Sequence, residues 1–580
     1  MHTKRIFQLE LAGFVLVLLS YGLIRQRLGI DLTDEGAYLA WPLRVALGEA
    51  PFSSELLTLI RPIEVYLSIL FKVHPGLTLY EFRMLGWLIH LLSFTLFSCC
   101  LFRLSDAPLL SLLIACVPVF ACQIFGLVAP SYNTLSGDFL LAALSLWAIA
   151  GMDPQRRRLV GFASGAAFFL ATLAHPGLGL VTAILLGHEV LRGSLWQNLR
   201  RRDLTTTNLG AVVFLGCWLL FLGYFWGSGA LAAWHARMGF SRSVVTFGQS
   251  FLQFLFQLLT YPFNHSETAF DCGSIALLAA GLTCLLTRFG TERIAGASRI
   301  LLGLILVSTL AYTLRVESAY LPIAFAMASL VIAAMPFISP LSSALTPCPP
   351  IRLLILLSGC AALVYASLTY YFSPYRSWVS GIQGLPFAFG AGLTLLLDVR
   401  PRQFALLKAF LPIMLACVVY WAASENYRYV YRDDRIEALT TEFRIPKLRH
   451  IRSTAERVRV LEELYGYLNG RISFGEPLLA FDSIPMLYFI LDARPAYGLA
   501  WAVRYGQSPV VLAKLNAELM AKPLPTYAIR NLIDVAPGVW STAPKISYEN
   551  YPLNETVMAN YVLEKTVYPF EIWRLKTAGP

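Results

Sequence analysis

Charged residues are scarce in this chain of 580 residues. Only 14% of the residues are Asp, Glu, Lys or Arg, whereas 57% are hydrophobic, and the mean hydropathy is +0.61. Soluble globular proteins carry roughly 25% charged residues. The core of a soluble protein of this size could not bury so much apolar surface, but a lipid bilayer can solvate it. The composition therefore excludes an ordinary soluble protein and predicts a polytopic membrane protein.

Cysteines and nucleotide-binding motifs are missing from the last quarter of the chain. The ten cysteines lie between Cys99 and Cys417, and none falls within residues 424–580. This distribution argues against a disulfide framework and against a Cys-x-x-Cys zinc site. The same segment contains neither a GxGxxG nor a GxxxxGK[ST] loop, so nucleotide binding is not predicted for it.

Apolar runs divide the chain into two parts. Residues 1–423 are apolar runs broken by short polar loops, and residues 424–580 read like a soluble domain. Because a spanning helix needs about 20 apolar residues, the first part predicts an all-α polytopic membrane domain of about thirteen spans. The second part predicts a small α/β domain with a helix over 450–469, a helix over 484–491, and strands over 477–481, 526–529 and 570–575.

The distribution of arginine predicts the orientation. When the gaps between spans are numbered alternately, the dense clusters at 156–158 and 200–202 and the other short-loop arginines fall on one side. Cytoplasmic loops collect Lys and Arg, so the net charge of +11 reflects topology rather than nucleic-acid binding. We expect a cytoplasmic N-terminus, an outer loop over 26–80 and a C-terminal domain outside. Segments 38–47 and 61–73 of that loop predict amphipathic interfacial helices.

A run of acids follows the first span directly. Asp31, Asp34 and Glu35 stand within the sequence Asp-Leu-Thr-Asp-Glu-Gly-Ala-Tyr, which ends at Tyr38. Carboxylates that are buried at a bilayer surface are costly, which favours a functional role. The alternative is a solvated loop in which Thr33 or Asp34 caps the following helix.

These motifs, taken in order, carry a family resemblance. The chain resembles the GT-C superfamily of integral membrane glycosyltransferases, in particular its ArnT-like and protein-mannosyltransferase-like members. The acidic motif with its tyrosine comes first, at 34–38. A Gly-x-x-Pro turn at 48–51, a Pro-x-x-x-Tyr helix at 62–66 and Arg83 at the start of the second span follow it. Further matching segments lie at 131–134, 482–488 and 493–495.

The resemblance implies transfer of a sugar from a polyprenyl-phosphate donor to a lipid, glycan or protein acceptor on the outer face, in a bacterial inner membrane. It implies Asp34 as general base or orienting carboxylate, with Glu35 second and able instead to orient arginines or a metal. Arginines suit the leaving phosphate. The implied donor-phosphate residues are Arg61, Arg83, Arg237, Arg242 and Arg315, and the implied substrate-binding residues are Tyr38, Tyr66, Tyr132, Asp138 and His175.

Two positions depart from the family pattern. His175 and Glu64 stand where some relatives carry a lysine, which puts the donor-phosphate contacts in doubt. No cofactor is predicted with certainty. His265 and Glu267 are candidates for a divalent metal, against the alternative of solvated loop residues, and Asp138 has the alternative role of an acid at a helix end.

Two other functions compete with the glycosyltransferase. A lipid or glycan transporter would show internal repeats and charges within its spans. Here no clear repeat is seen and the charges collect in outer loops. The other alternative is a non-catalytic envelope-assembly or polymer-ligating protein.

Overall fold

The computed structural model describes most of the first 179 residues and most of the last 200. The described ranges are 2–49, 62–105, 107–121, 129–153, 157–179, 385–397, 405–428, 430–498, 509–535, 540–549 and 551–576, with a few single residues between 182 and 359.

Helices precede a mixed helical and stranded region. The helices are α1 (His2–Arg25), α2 (Asp34–Ala46), α3 (Ile63–Val73), α4 (Leu79–Ser105), α5 (Pro108–Ala121), α6 (Tyr132–Met152), α7 (Arg157–Ala174), α8 (Leu385–Leu397), α9 (Ala405–Arg428), α10 (Ala455–Leu468), α11 (Met486–Ile490), α12 (Pro509–Met520) and α13 (Pro552–Asn560). The strands are β1 (Thr441–Glu442), β2 (Arg452–Ser453), β3 (Pro477–Phe481), β4 (Arg494–Pro495), β5 (Tyr527–Asn531), β6 (Tyr561–Val567) and β7 (Phe570–Leu575).

Within the described residues, three helices are long and apolar enough to cross a membrane. These are α1, α4 and α6, and shorter apolar stretches lie in α5, α7 and α9. Most residues of the spans predicted between 180 and 384 lie outside the described part of the chain, so the number of about thirteen stays a prediction. Helix α9 runs through the predicted domain boundary at residue 423 to Arg428.

Helix α4 lies at the centre of the described bundle. It packs on α1, α5, α6 and α8, and its buried face carries Trp87, Phe94 and Phe97 at helical spacing. These rings join Phe120 and Leu144 in one apolar cluster. Helix α1, by contrast, leaves much of its apolar surface exposed, which suits contact with lipid acyl chains.

The C-terminal part is built on a five-stranded sheet with strand order β4-β3-β5-β7-β6. Strands β4, β3 and β5 are parallel, and β7 and β6 continue the sheet as an antiparallel pair. The strands predicted at 477–481 and 570–575 are confirmed. The one predicted at 526–529 is β5, and the helices predicted at 450–469 and 484–491 are the shorter α10 and α11. Strand β6 was not predicted, because its residues alternate poorly between apolar and polar types.

The helix predicted over 38–47 is α2, which begins four residues earlier than predicted, and its place at a membrane interface stays a prediction. Helix α2 begins at Asp34, and every residue from Asp34 to Arg44 is buried. Helix α11 and strand β4 of the C-terminal part pack against it. The helix predicted over 61–73 is α3, but both of its faces are apolar, since it buries Leu67 and Phe71 and exposes Ile69 and Val73.

Backbone contacts fix the C-terminal part onto the segment between α1 and α2. The Gly29 N–H donates to the Arg452 carbonyl, and the Arg452 N–H donates to the Arg27 carbonyl, both at 2.7 Å. The Met486 N–H donates to the Leu32 carbonyl at 3.1 Å. The start of α2 therefore sits directly beneath α11.

The close approach of α11 to α2 depends on Gly36. A Cβ atom at this position would lie 2.3 Å from the backbone nitrogen of Met486. We expect Gly36→Ala to lower the free energy of unfolding by about 1–3 kcal/mol, because backbone atoms would have to move. Thermal unfolding of the purified protein in detergent measures this. Gly466→Ala in α10 is the matched control, since a Cβ there meets nothing within 4 Å, and equal stability of both variants would contradict the prediction.

Candidate active site

The acidic segment folds into a capped turn. Asp31 Oδ1 accepts from the N–H and hydroxyl of Thr33 at 2.9 and 2.7 Å, and Asp31 Oδ2 accepts from the Glu35 N–H at 3.0 Å. Asp31 thus satisfies amide groups at the start of α2, where a negative charge also meets the positive end of the helix dipole. The prediction that Thr33 or Asp34 caps the helix is wrong, because Thr33 makes no side-chain capping bond and Asp31 takes this role.

Glu35 is paired with Arg83 of α4. The Arg83 Nε donates to Glu35 Oε1 at 2.6 Å, and the Arg83 Nη2 donates to Glu35 Oε2 at 2.5 Å. Arg83 Nη1 donates to the carbonyls of Gln26 and Leu28 at 3.1 and 3.3 Å. Glu35 is fully buried and Arg83 nearly so. This bidentate ion pair fixes the turn to the first part of the chain.

Asp34 faces the C-terminal part instead. Its Oδ2 accepts from the Tyr431 hydroxyl at 2.8 Å, and Arg432 Nη1 lies 3.1 Å from the same oxygen. Burial works to lower the pKa of Arg432, but Asp31 and Asp34 outweigh it and the pKa is raised. Burial, followed by the charge of Asp34, raises the pKa of Tyr431 above its ordinary value. Tyr431 therefore stays a hydrogen-bond donor and Arg432 stays a cation.

A second buried ion pair holds the segment that carries Tyr431 and Arg432. Arg457 Nη1 lies 3.4 Å from Asp433 Oδ1 and donates to the Arg432 carbonyl at 2.7 Å. Asp433 Oδ2 accepts from the Ile30 N–H and the Ser453 hydroxyl, each at 2.7 Å. The segment at 431–433 is thereby tied both to the C-terminal part and to the acidic turn.

Aromatic side chains gather beside the acidic turn. The amide of Asn133 donates to the Tyr38 hydroxyl at 3.0 Å. The Tyr132 ring stands edge-on to Tyr38, with centroids 5.9 Å apart, and lies 6.0 Å from the His175 ring. Three of the predicted substrate-binding residues are thus brought together by the starts of α2 and α6 and the end of α7.

Asp138 lies farther along α6 and pairs with α4. Its Oδ1 is 2.6 Å from Nδ1 of His90, and both side chains are largely buried. The hydroxyl of Ser93 donates to the Asp138 carbonyl at 2.7 Å. Asp138 lies inside α6 and is buried, so it is not an acid at a helix end.

The remaining predicted residues fall into two groups. Tyr66 lies on the exposed side of α3, with 47% of its surface accessible, away from the buried turn. The others lie outside the described residues: Arg61, Arg237, Arg242, Arg315, His265 and Glu267. Among described residues, no group of three or more His, Cys, Asp or Glu side chains is arranged to hold a metal ion.

Tyr431 and Arg432 were not predicted as site residues from the sequence. Their signal is a polar run, Tyr-Arg-Asp-Asp at 431–434, directly after the last apolar helix. The run mirrors the acidic turn that directly follows the first helix. Its partner is about 400 residues away in the chain, and a single sequence does not reveal such a pairing.

Comparisons with known proteins give structural matches alone. No protein-family model matches the chain, and no curated protein matches its sequence. ArnT from Cupriavidus metallidurans in the apo state is 13% identical over 98% of each chain, with a TM-score of 0.40. ArnT bound to undecaprenyl phosphate is 12% identical over 99% of each chain, with a TM-score of 0.38.

A third match is the oligosaccharyltransferase from Archaeoglobus fulgidus in complex with Zn and sulfate. It is 10% identical, with a TM-score of 0.45, over 89% of this chain and 68% of that one.

The Glu35–Arg83 pair predicts a non-additive pattern of stability. Glu35→Gln should lower the free energy of unfolding by about 3–5 kcal/mol, because it leaves the buried guanidinium of Arg83 without its counter-charge. The double variant Glu35→Gln/Arg83→Met should be more stable than Glu35→Gln alone, since neither charge remains. Thermal unfolding of Glu35→Gln, Arg83→Met and the double variant in detergent measures this, and a double variant less stable than Glu35→Gln would contradict the pairing.

Proposed function

We propose that this protein is a membrane glycosyltransferase that moves a sugar from a polyprenyl-phosphate donor to a lipid, glycan or protein acceptor. The observation that carries the proposal is the acidic turn between α1 and α2, buried where the apolar helices meet the C-terminal part. A buried carboxylate held in place by a cation and a hydroxyl is the kind of group that receives a proton in catalysis.

The two adjacent carboxylates have different partners, which supports different roles. Both oxygens of Glu35 bind Arg83, so this carboxylate is a structural anchor that orients an arginine. The Asp34 Oδ2 atom meets both Tyr431 and Arg432, and Arg432 keeps 23% of its side chain exposed. Asp34 is therefore the better candidate for a group that reaches the acceptor.

The transfer balances with Asp34 as the base. An acceptor hydroxyl or amine gives its proton to the Asp34 carboxylate as its lone pair forms a bond to the anomeric carbon. The bond between that carbon and the phosphate oxygen breaks, and polyprenyl phosphate leaves with the electron pair. The negative charge on the phosphate grows by one during this step, so cations near the leaving group stabilise the transition state.

The aromatic cluster beside Asp34 suits a carbohydrate. Sugar rings present apolar C–H faces that pack on aromatic rings, and their hydroxyls bind polar tips such as those of tyrosine and histidine. Tyr38, Tyr132 and His175 provide both kinds of contact next to the acidic turn. We assign them to the sugar or to the acceptor, and we keep a pentose or hexose open as the transferred group.

The cations for the donor phosphate are also part of the proposal. Arg83 is engaged by Glu35 in the described structure, so a phosphate role requires it to share its guanidinium. Arg61, Arg237, Arg242 and Arg315 stay candidates from the sequence. A divalent metal held by His265 and Glu267 remains a candidate for the same task, and the site faces the outside of a bacterial inner membrane in this proposal.

One observation favours a transporter as the second candidate. The His90–Asp138 pair is buried between α4 and α6, inside an apolar bundle. Ionisable residues within spans commonly mark proton or substrate pathways. A transporter would depend on this pair and would release no polyprenyl phosphate, whereas the glycosyltransferase depends on Asp34.

Asp34→Asn tests the catalytic assignment. We expect the rate of polyprenyl phosphate release to fall about 10²–10⁴-fold, because the amide accepts no proton, while the unfolding temperature changes little. The assay follows the release of decaprenyl phosphate from its glucose, mannose and arabinose esters in bacterial membranes, which supply lipid, glycan and protein acceptors. Asp153→Asn is the control, since Asp153 pairs with Arg103 at the other end of α4. An active Asp34→Asn protein would overturn the assignment.

Native mass spectrometry of the gently purified protein tests the donor class. We expect a co-purifying polyprenyl phosphate or its sugar ester, whose mass identifies the sugar. Bulk phospholipid alone, even after addition of decaprenyl phosphate, would contradict the glycosyltransferase and favour the transporter.

A further inference from the structure

Arg432 stands between two carboxylates of the acidic turn. Its Nη1 is 3.1 Å from Asp34 Oδ2 and 3.9 Å from Asp31 Oδ1. The two carboxylates lie on the same turn, and both are buried. Because like charges at short range destabilise each other, the turn requires a cation at this place if both are to stay ionised.

The position of Arg432 is set by the fold rather than by its own side chain alone. Its backbone lies in the left-handed region, with φ at +55°, which a residue other than glycine adopts only when its surroundings hold it there. Arg457 donates to the Arg432 carbonyl. The Arg432 guanidinium lies over the Tyr431 ring, 4.8 Å from the ring centroid. The buried Asp433 next to it is fixed by Ile30 and Ser453.

We propose that Arg432 is a positioning residue for Asp34, set in place by the docked C-terminal part, so that the two parts of the chain share one site. The inference rests on the proposed function, since it gives Asp34 its chemistry there. Arg432 fixes the orientation of the carboxylate and keeps it ionised. Docking of the C-terminal part thereby controls whether Asp34 is competent as a base.

The charges around Asp34 support this role. Among the described residues, the cation of Arg83 is matched by Glu35, and the cation of Arg457 is matched by Asp433. Arg432 is the cation that pairs directly with Asp34 and also lies near Asp31, where Arg457 adds a second positive charge. The elements packed on α2 carry further titratable groups, which are Glu64, Tyr66 and Lys72 on α3, Tyr488 on α11 and Arg494 on β4.

The test is the pH dependence of the rate. Arg432→Met should slow decaprenyl phosphate release about ten- to a hundredfold. It should also move the acidic limb of the pH–rate profile up by about one unit or more, because the carboxylate then takes up a proton more readily. Arg432→Lys keeps the charge without the planar fork, so the limb should return towards its original position while the rate stays reduced.

Two controls separate the outcomes. Arg435→Met removes the same charge from an exposed position three residues along, and its profile should match that of the unaltered protein. Asp34→Asn is run beside it. If Asp34→Asn keeps its activity, the proposed function fails at its base. If Asp34→Asn is inactive but Arg432→Met retains the original rate and acidic limb, the inference about Arg432 alone is overturned. A lysine variant whose limb stays displaced overturns it as well.

Discussion

Asp31, Asp34 and Glu35 bring three carboxylates into one short buried turn. Removing a carboxylate from water costs several kcal/mol unless cations and hydrogen-bond donors replace the water. The turn itself supplies amide and hydroxyl donors for Asp31. The cations come from elsewhere, because the turn contains no basic residue. This requirement links the turn to helix α4 on one side and to the C-terminal part on the other.

The two links differ in their chemistry. Arg83 donates two parallel hydrogen bonds to Glu35, and its third nitrogen donates to backbone carbonyls. Such a pair is rigid, and its removal mainly affects stability. Arg432 approaches Asp34 with one nitrogen and stays partly open to solvent. The second link is therefore the one of the two that solvent reaches.

Apolar runs and motif order predicted a helical membrane part, a C-terminal α/β part and several residues of the candidate site. Apolar run lengths predicted the helices that contain Trp87 and Asp138, and the motif order placed Asp34, Glu35 and Arg83 in one neighbourhood. Strand β3 and strand β7 were predicted at their observed bounds because their apolar runs are short and end at turn residues. What a single sequence leaves open is pairing across long separations. Arg432 meets Asp34, and the C-terminal part covers α2, through contacts that no local pattern encodes.

One face of helix α4 contacts both the acidic turn and the neighbouring apolar helices. Arg83, Trp87 and His90 follow one another at spacings of four and three residues, so they lie on one face of the helix. Each meets a different neighbour: Arg83 binds Glu35, the Trp87 indole donates to the Leu18 carbonyl of α1 at 3.0 Å, and His90 binds Asp138 of α6. Gly22 makes room for the indole, since a Cβ there would lie 2.0 Å from its nitrogen. One helix face thus sets the positions of α1, α2 and α6 together. A shift of α4 along its axis would move both buried ion pairs at once, which couples the packing of the apolar bundle to the geometry of the acidic turn.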